Sequence, residues 1–101
     1  MLDLDLLNKP IDIKIKGEQI KVNQPSFALA KSVRAFERNI NSMEEEEIYD
    51  EQSNILLSFL NNNADSKKFK KDALESLPFS AIKAIYKSLV DAITGADNNP
   101  N

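Results

Sequence analysis

The sequence predicts a small α+β domain, mostly α, in which an N-terminal β-hairpin precedes three or four amphipathic helices packed as a small bundle. Two patterns carry that expectation. Between residues 11 and 22, apolar residues recur at every second position on either side of a single glycine. From residue 25 to 95 they recur at spacings of three and four, the period of one helix face. The alternative is an all-helical bundle with the N-terminus as a loose arm.

The hairpin, 11–23, follows from side-chain alternation. Ile11, Ile13 and Ile15 alternate with Asp12, Lys14 and Lys16, and after Gly17-Glu18 the residues Ile20 and Val22 alternate with Lys21 and Asn23. Gly17-Glu18 suits a two-residue type II′ turn, with Gly supplying the positive φ. That turn pairs Ile15 with Ile20 and Ile13 with Val22, so every apolar residue lands on one face. A slip by one residue would split them between faces. Upstream, Leu2, Leu4 and Leu6 alternate with Asp3 and Asp5 and read as a third strand or as an arm.

Pro25 stands at the start of a helix of about five turns, whose stripe is Leu29, Val33, Phe36, Ile40 and Met43. Ser42 and Glu45 have capping-box spacing for the next helix. Its first turn, Glu44–Glu47, is favourable at the positive end of the helix dipole, and its stripe is Ile48, Gln52, Ile55 and Phe59. Asn61-Asn62-Asn63 ends it. Asp65 or Ser66 is placed to cap a short helix carrying Phe69, Ala73, Leu74 and Leu77, closed by Pro78. The last helix runs from about 78 to 94 on a stripe of Phe79, Ile82, Tyr86, Leu89 and Ile93, widened by Ile85 and Val90, with Gly95 as its C′ residue. The chain thus reads as one domain, 1–95, with its helical part at 25–95 and a polar, disordered tail at 96–101.

Composition narrows the chemistry. The 101 residues include no cysteine and no histidine, which removes disulfides, thiolate and imidazole catalysis and the usual zinc sites. With only Gly17 and Gly95, no phosphate-cradling loop can be assembled. Glu44–Glu47, with Asp50 and Glu51, could be read as a metal site, but consecutive helical residues point in different directions, so the run reads as a solvated helix start. No catalytic residue, metal ligand or cofactor is expected, and the chain is not expected to be an enzyme. A net charge of −3 argues against free nucleic-acid binding, which draws on basic excess. The one basic run, Lys67, Lys68, Lys70 and Lys71, reads as a solvated face, with nucleic acid or an acidic protein partner as the alternatives. The apolar runs are too short to span a bilayer and Met1–Leu7 is no signal peptide, so the expectation is a cytoplasmic protein that binds no membrane.

What remains is surplus apolar surface. Phe27 lies about 180° around its helix from Phe36. Tyr49, Leu56, Leu57 and Leu60 spread the apolar arc of the second helix to about 200°. One reading is a central helix buried on two sides, with Phe27 packed under the hairpin. The other is a second, partner-facing surface, for which Phe27, Leu57 and Leu60 are the candidates with Tyr49 beside them. Phe36, Ile55, Phe59, Ile82 and Leu89 are expected in the core. The same surplus, together with the Leu2–Leu6 segment, predicts a homo-oligomer.

The order of a hairpin reading Ile-x-Ile-x-Ile-x-Gly-Glu-x-Ile-x-Val, a helix opened by Pro-Ser-Phe that ends near an acidic run, and a C-terminal helix after Leu-Pro-Phe-Ser-Ala-Ile-Lys-Ala-Ile-Tyr resembles the tail assembly chaperones of long-tailed (siphovirus-type) bacteriophages of low-GC Gram-positive hosts. The likeness covers roughly residues 11–95. It implies a protein of the host cytoplasm that coats the tape measure protein, keeps it soluble until tail-tube protein replaces it, self-associates, and stays out of the mature virion. Many members are made in two lengths through a frameshift, and the polar stop at Asp97–Asn101 would fit a shorter product. The family has no fixed binding motif to carry over. A small helical DNA-binding or transcription-modulating protein is the alternative function. Against it, the junction at Ser76-Leu77-Pro78 lacks the glycine of many helix-turn-helix turns, and the following helix carries only Lys83 and Lys87.

Overall fold

In the computed structural model, which describes residues 1–95, the chain is an antiparallel hairpin followed by three long helices and one short one. The hairpin is β1 (Ile11–Ile15) and β2 (Glu18–Val22); the helices are α1 (Phe27–Asn39), α2 (Glu45–Leu60), α3 (Lys71–Glu75) and α4 (Phe79–Thr94). This is the mostly helical α+β architecture that the two periodicities predict. The tail at 96–101, expected to be disordered, lies outside the described residues.

The hairpin keeps its predicted facing but changes its pairing. Ile11 faces Val22, Ile13 faces Ile20 and Ile15 faces Glu18, so the loop is Lys16-Gly17 and not Gly17-Glu18. Lys16 and Gly17 both have positive φ, 51° and 82°, which type I′ requires and type II′ does not. The difference is a slip of two residues. Two is the side-chain period of a strand, so Ile20 and Val22 stay inward and both are fully buried. The outer edge of β2 is occupied as well. Lys21 N–H donates to the Asp65 carboxylate at 2.8 Å and Lys21 C=O accepts from Ala64 N–H at 2.9 Å. Asn23 N–H donates to Asn62 C=O at 2.8 Å.

The helix ends differ from the capping expected. Ser26, one residue after Pro25, caps α1 by accepting from Leu29 N–H at 3.1 Å. The helix is also shorter than five turns, because Ile40–Ser42 tightens into a 3₁₀ turn. That turn occupies Ser42, whose hydroxyl donates to Asn39 C=O, so the capping box sits two residues later at Glu44 and Glu47. Asp65 and Ser66 cap nothing. Asp65 is drawn to β2, Ser66 sits at φ 57°, and α3 begins only after Lys70. The intervening loop is folded around asparagine side chains. Asn63 bonds Leu60 C=O, Lys67 C=O and the N–H groups of Asp65 and Lys67, while Asn61 bonds both backbone groups of Phe69. Gly95 ends α4 in the left-handed conformation, its N–H on Asp91 C=O, as its position predicts.

One core joins β2 and the four helices, with the isoleucines of β1 partly buried against it. It comprises Ile20 and Val22 from β2, Val33 and Phe36 from α1, Ile55, Leu56, Phe59 and Leu60 from α2, Leu74 from α3, and Ile85 and Leu89 from α4. The middle helix α2 packs against α1, α3 and α4, which explains why its apolar arc is so wide. Between α1 and α4, Phe36 meets Tyr86 edge to face with ring centroids 6.3 Å apart. The Tyr86 hydroxyl donates to the Glu37 carboxylate at 2.9 Å. Burial first, and then that acceptor, hold the Tyr86 phenol above its ordinary pKa.

Residues 1–7 form no strand. Leu4–Leu7 is a 3₁₀ turn capped by Asp3, and Met1, Leu2, Leu4, Leu6 and Leu7 are all exposed. Local capping has won over alternation, because among the described residues no partner strand lies beside this segment.

Candidate functional site

The four residues singled out as partner-facing do not come together. Leu60 is fully buried, 0% exposed, and belongs to the core; it is corrected from surface to interior. The reason is the position of α2, which has neighbours on more than one side. Leu57 is half-buried against the same core. Phe27 is 79% exposed at the first turn of α1 and is not packed under the hairpin. Its ring carries the Lys31 ammonium 5.1 Å from the centroid, a pair held at helical i, i+4 spacing. Tyr49 is 50% exposed.

Tyr49 alone of the four lines an open apolar groove on this surface. This groove, about 430 Å³, runs between α2, α3 and α4. Leu56, Leu74 and Ile82 form its apolar floor. Tyr49 stands on one wall and Phe79, 62% exposed, on the other. Phe79 is the first member of the α4 stripe, yet it stands in the open. It is the first residue of its helix, directly after Pro78, where the stripe runs out past the end of the bundle. The Lys83 ammonium lies 5.7 Å from its ring centroid. A signal for it does exist in the sequence: in both α1 and α4 a phenylalanine is the first helical residue, with a lysine four positions on.

The charged residues lining this groove are Asp50, Lys71 and Glu75. The Lys71 ammonium donates to the Asp50 carboxylate at 2.9 Å across the rim, and that contact holds Lys71 above the ordinary lysine pKa. Lys67, from the same basic run, pairs with Glu18. Two of the four clustered lysines thus answer acids of this chain, which weakens a nucleic-acid reading of the run. Among the described residues, no group of three or more acidic side chains is placed to hold a metal ion, and no helix is long and apolar enough to cross a membrane. The arrangement therefore suits reversible apolar contact: a floor of branched aliphatic side chains, two aromatic walls and a small polar rim. No protein family, curated protein or solved structure matches the chain.

Proposed function

We propose that this chain is a tail assembly chaperone of a long-tailed bacteriophage, which binds the tape measure protein in the host cytoplasm and keeps it soluble during tail assembly. The observation that carries the reading is the α2–α3–α4 groove, where Tyr49 and Phe79 stand exposed beside the aliphatic floor of Leu56, Leu74 and Ile82. An amphipathic helix lays its apolar side chains into such a groove. A tape measure protein offers a long series of these helices, and many weak contacts along it add up to a stable but removable coat. The tail-tube protein would then displace the chaperone, which stays out of the finished virion.

Co-expression tests this. A helical tape measure segment that is insoluble alone should stay soluble with the wild-type chain and precipitate with Tyr49→Ser/Phe79→Ser. Failure of the wild-type chain to solubilise any such segment would remove the proposal. Salt-dependent binding to duplex DNA with a slope of several phosphates would replace it with the DNA-binding reading.

A further inference from the structure

A second apolar groove, about 390 Å³, lies between β1 and α4 and shares no lining residue with the first. Ile13 and Ile15 face Leu77, Ala84 and Ile85 across it, and Ile11, Ile13 and Ile15 are only half-buried. Beside the groove, β1 leaves one edge of the two-stranded sheet open. Lys21 turns its backbone N–H and C=O outward from β2, onto Asp65 and Ala64. Its partner in the register is Asp12, so Asp12 and, two residues on, Lys14 turn their backbone groups to the opposite edge. Among the described residues nothing outside the sheet bonds the backbone of either.

The strand at this edge is complementary to itself. It reads Ile11-Asp12-Ile13-Lys14-Ile15, an acid and a base on either side of a central isoleucine. Lys16 stands outside it, in the turn at φ 51°, with its ammonium on the Ser76 hydroxyl at 3.1 Å. Asp12 and Lys14 are therefore the charged residues of the strand. Against an antiparallel second copy, β1 can bond only through residues 12 and 14, which leaves three registers. Asp12 on Asp12 opposes like charges and sets Lys14 against Pro10, which has no N–H. Lys14 on Lys14 also opposes like charges and sets Asp12 against the turn. The register centred on Ile13 sets Asp12 of each copy against Lys14 of the other. Its two bonded pairs, with two bonds each, give four backbone hydrogen bonds. Ile13 then meets Ile13, and Ile11 meets Ile15 on either side, at the non-bonded positions where side chains approach most closely.

We infer that two copies of this chain pair through β1, antiparallel about a two-fold axis at Ile13, into one four-stranded sheet of order β2-β1-β1-β2. The axis stands perpendicular to the sheet, so the isoleucines of both copies share one face and continue the apolar lining of the β1–α4 groove. The other face carries a row of alternating charge. Asp12 already has the Lys21 ammonium at 3.6 Å on one side and receives Lys14 of the second copy on the other. Lys14, in no ion pair among the described residues, gains a partner. A foreign strand would need the same acid and base in the same order, which a second copy supplies by symmetry. The contact uses the same patch on both copies, so it closes as a dimer and does not propagate. It is separate from the proposed partner groove, and the inference stands whether or not that groove binds a tape measure protein.

Sedimentation velocity on the full chain, from micromolar to millimolar concentration, tests it. Wild type should pass from monomer to dimer and no further. Asp12→Lys and Lys14→Glu each replace two attractive cross-strand pairs by two repulsive ones, and each should weaken dimerisation on the order of 30-fold. An equimolar mixture of the two should recover it, because a strand with two bases then faces a strand with two acids. Lys14→Pro removes an N–H that points away from β2, so it spares the hairpin and should abolish the dimer over the same range. All three variants change exposed positions, so their circular dichroism should match wild type. A wild type that is monomeric throughout overturns the inference. So does growth beyond a dimer, a dimer that survives Lys14→Pro, or a charge-reversed mixture that fails to assemble.

Discussion

Leu60→Ala removes the branched end of a side chain that is fully buried at the C-terminal end of α2, among the largest of the wholly enclosed side chains. Core truncations of this kind cost about 2–5 kcal/mol, a transfer component plus a component for the cavity left behind. The lower part of that range applies where the walls can collapse. Here they are held. Leu60 C=O is bonded to the Asn63 side chain, and the loop after it is tied to β2. A loss of about 3 kcal/mol is expected, which for a domain of this size lowers the melting temperature by roughly 12–24 °C. Urea denaturation followed by circular dichroism measures it, with an unchanged m value showing that stability alone has moved. Tyr49→Ala, at a half-exposed position, should change stability by less than about 0.5 kcal/mol in the same assay. If Leu60→Ala is as mild as Tyr49→Ala, Leu60 is not interior and the packing of α2 described above is wrong.

Three further outcomes follow from local geometry. Asn63→Ala should cost about 2–4 kcal/mol, since four hydrogen bonds of the α2–α3 loop converge on that side chain and four backbone groups lose that partner; chemical denaturation reads it. At the hairpin turn, Gly17→Ala should destabilise by about 1 kcal/mol purely through its φ of 82°, because the space around it is open, whereas Lys16→Asn should stabilise by about 0.5 kcal/mol by supplying the residue that type I′ prefers; thermal melts compare the two. The Tyr86 phenol is held above its ordinary value of 10.0 in the folded chain, so the folded state binds more protons than the unfolded state above that pH. Stability should therefore fall as pH rises beyond about 10, and this part of the slope should vanish in Tyr86→Phe, as measured by denaturation at a series of alkaline pH values.

The features legible in the sequence are those set by periodicity. Alternation identified the hairpin and the face of every residue in it, but strand faces repeat every two residues, so Gly17 could sit first or second in the turn with the same residues inward. The 3.6-residue period likewise placed α1, α2 and α4 and found Phe36, Ile55, Phe59 and Leu89 for the core. What it could not reveal is how many sides of a helix are covered. Leu60 and Tyr49 both lie off the α2 stripe, and only the packing of three helices around α2 separates the buried one from the exposed one. Phe79 shows the converse, a stripe residue left in the open by its position at the helix end. The 61–70 loop was illegible for a different reason. Its structure rests on side chains of Asn61, Asn63 and Asp65 reaching backbone groups two to forty-four residues away, and composition alone marks such a stretch only as a break.

The central claim is that the groove walled by Tyr49 and Phe79 receives an apolar helix. Its most direct measurement is the affinity of the full chain for a labelled amphipathic helical segment of a tape measure protein, taken beside the melting temperature. Tyr49→Ala/Phe79→Ala should raise Kd by about 30-fold or more, the effect of removing a central pair of aromatic contacts, with the melting temperature within a degree or two of wild type. An unchanged Kd in that variant, with wild-type binding intact, would contradict the assignment of the groove.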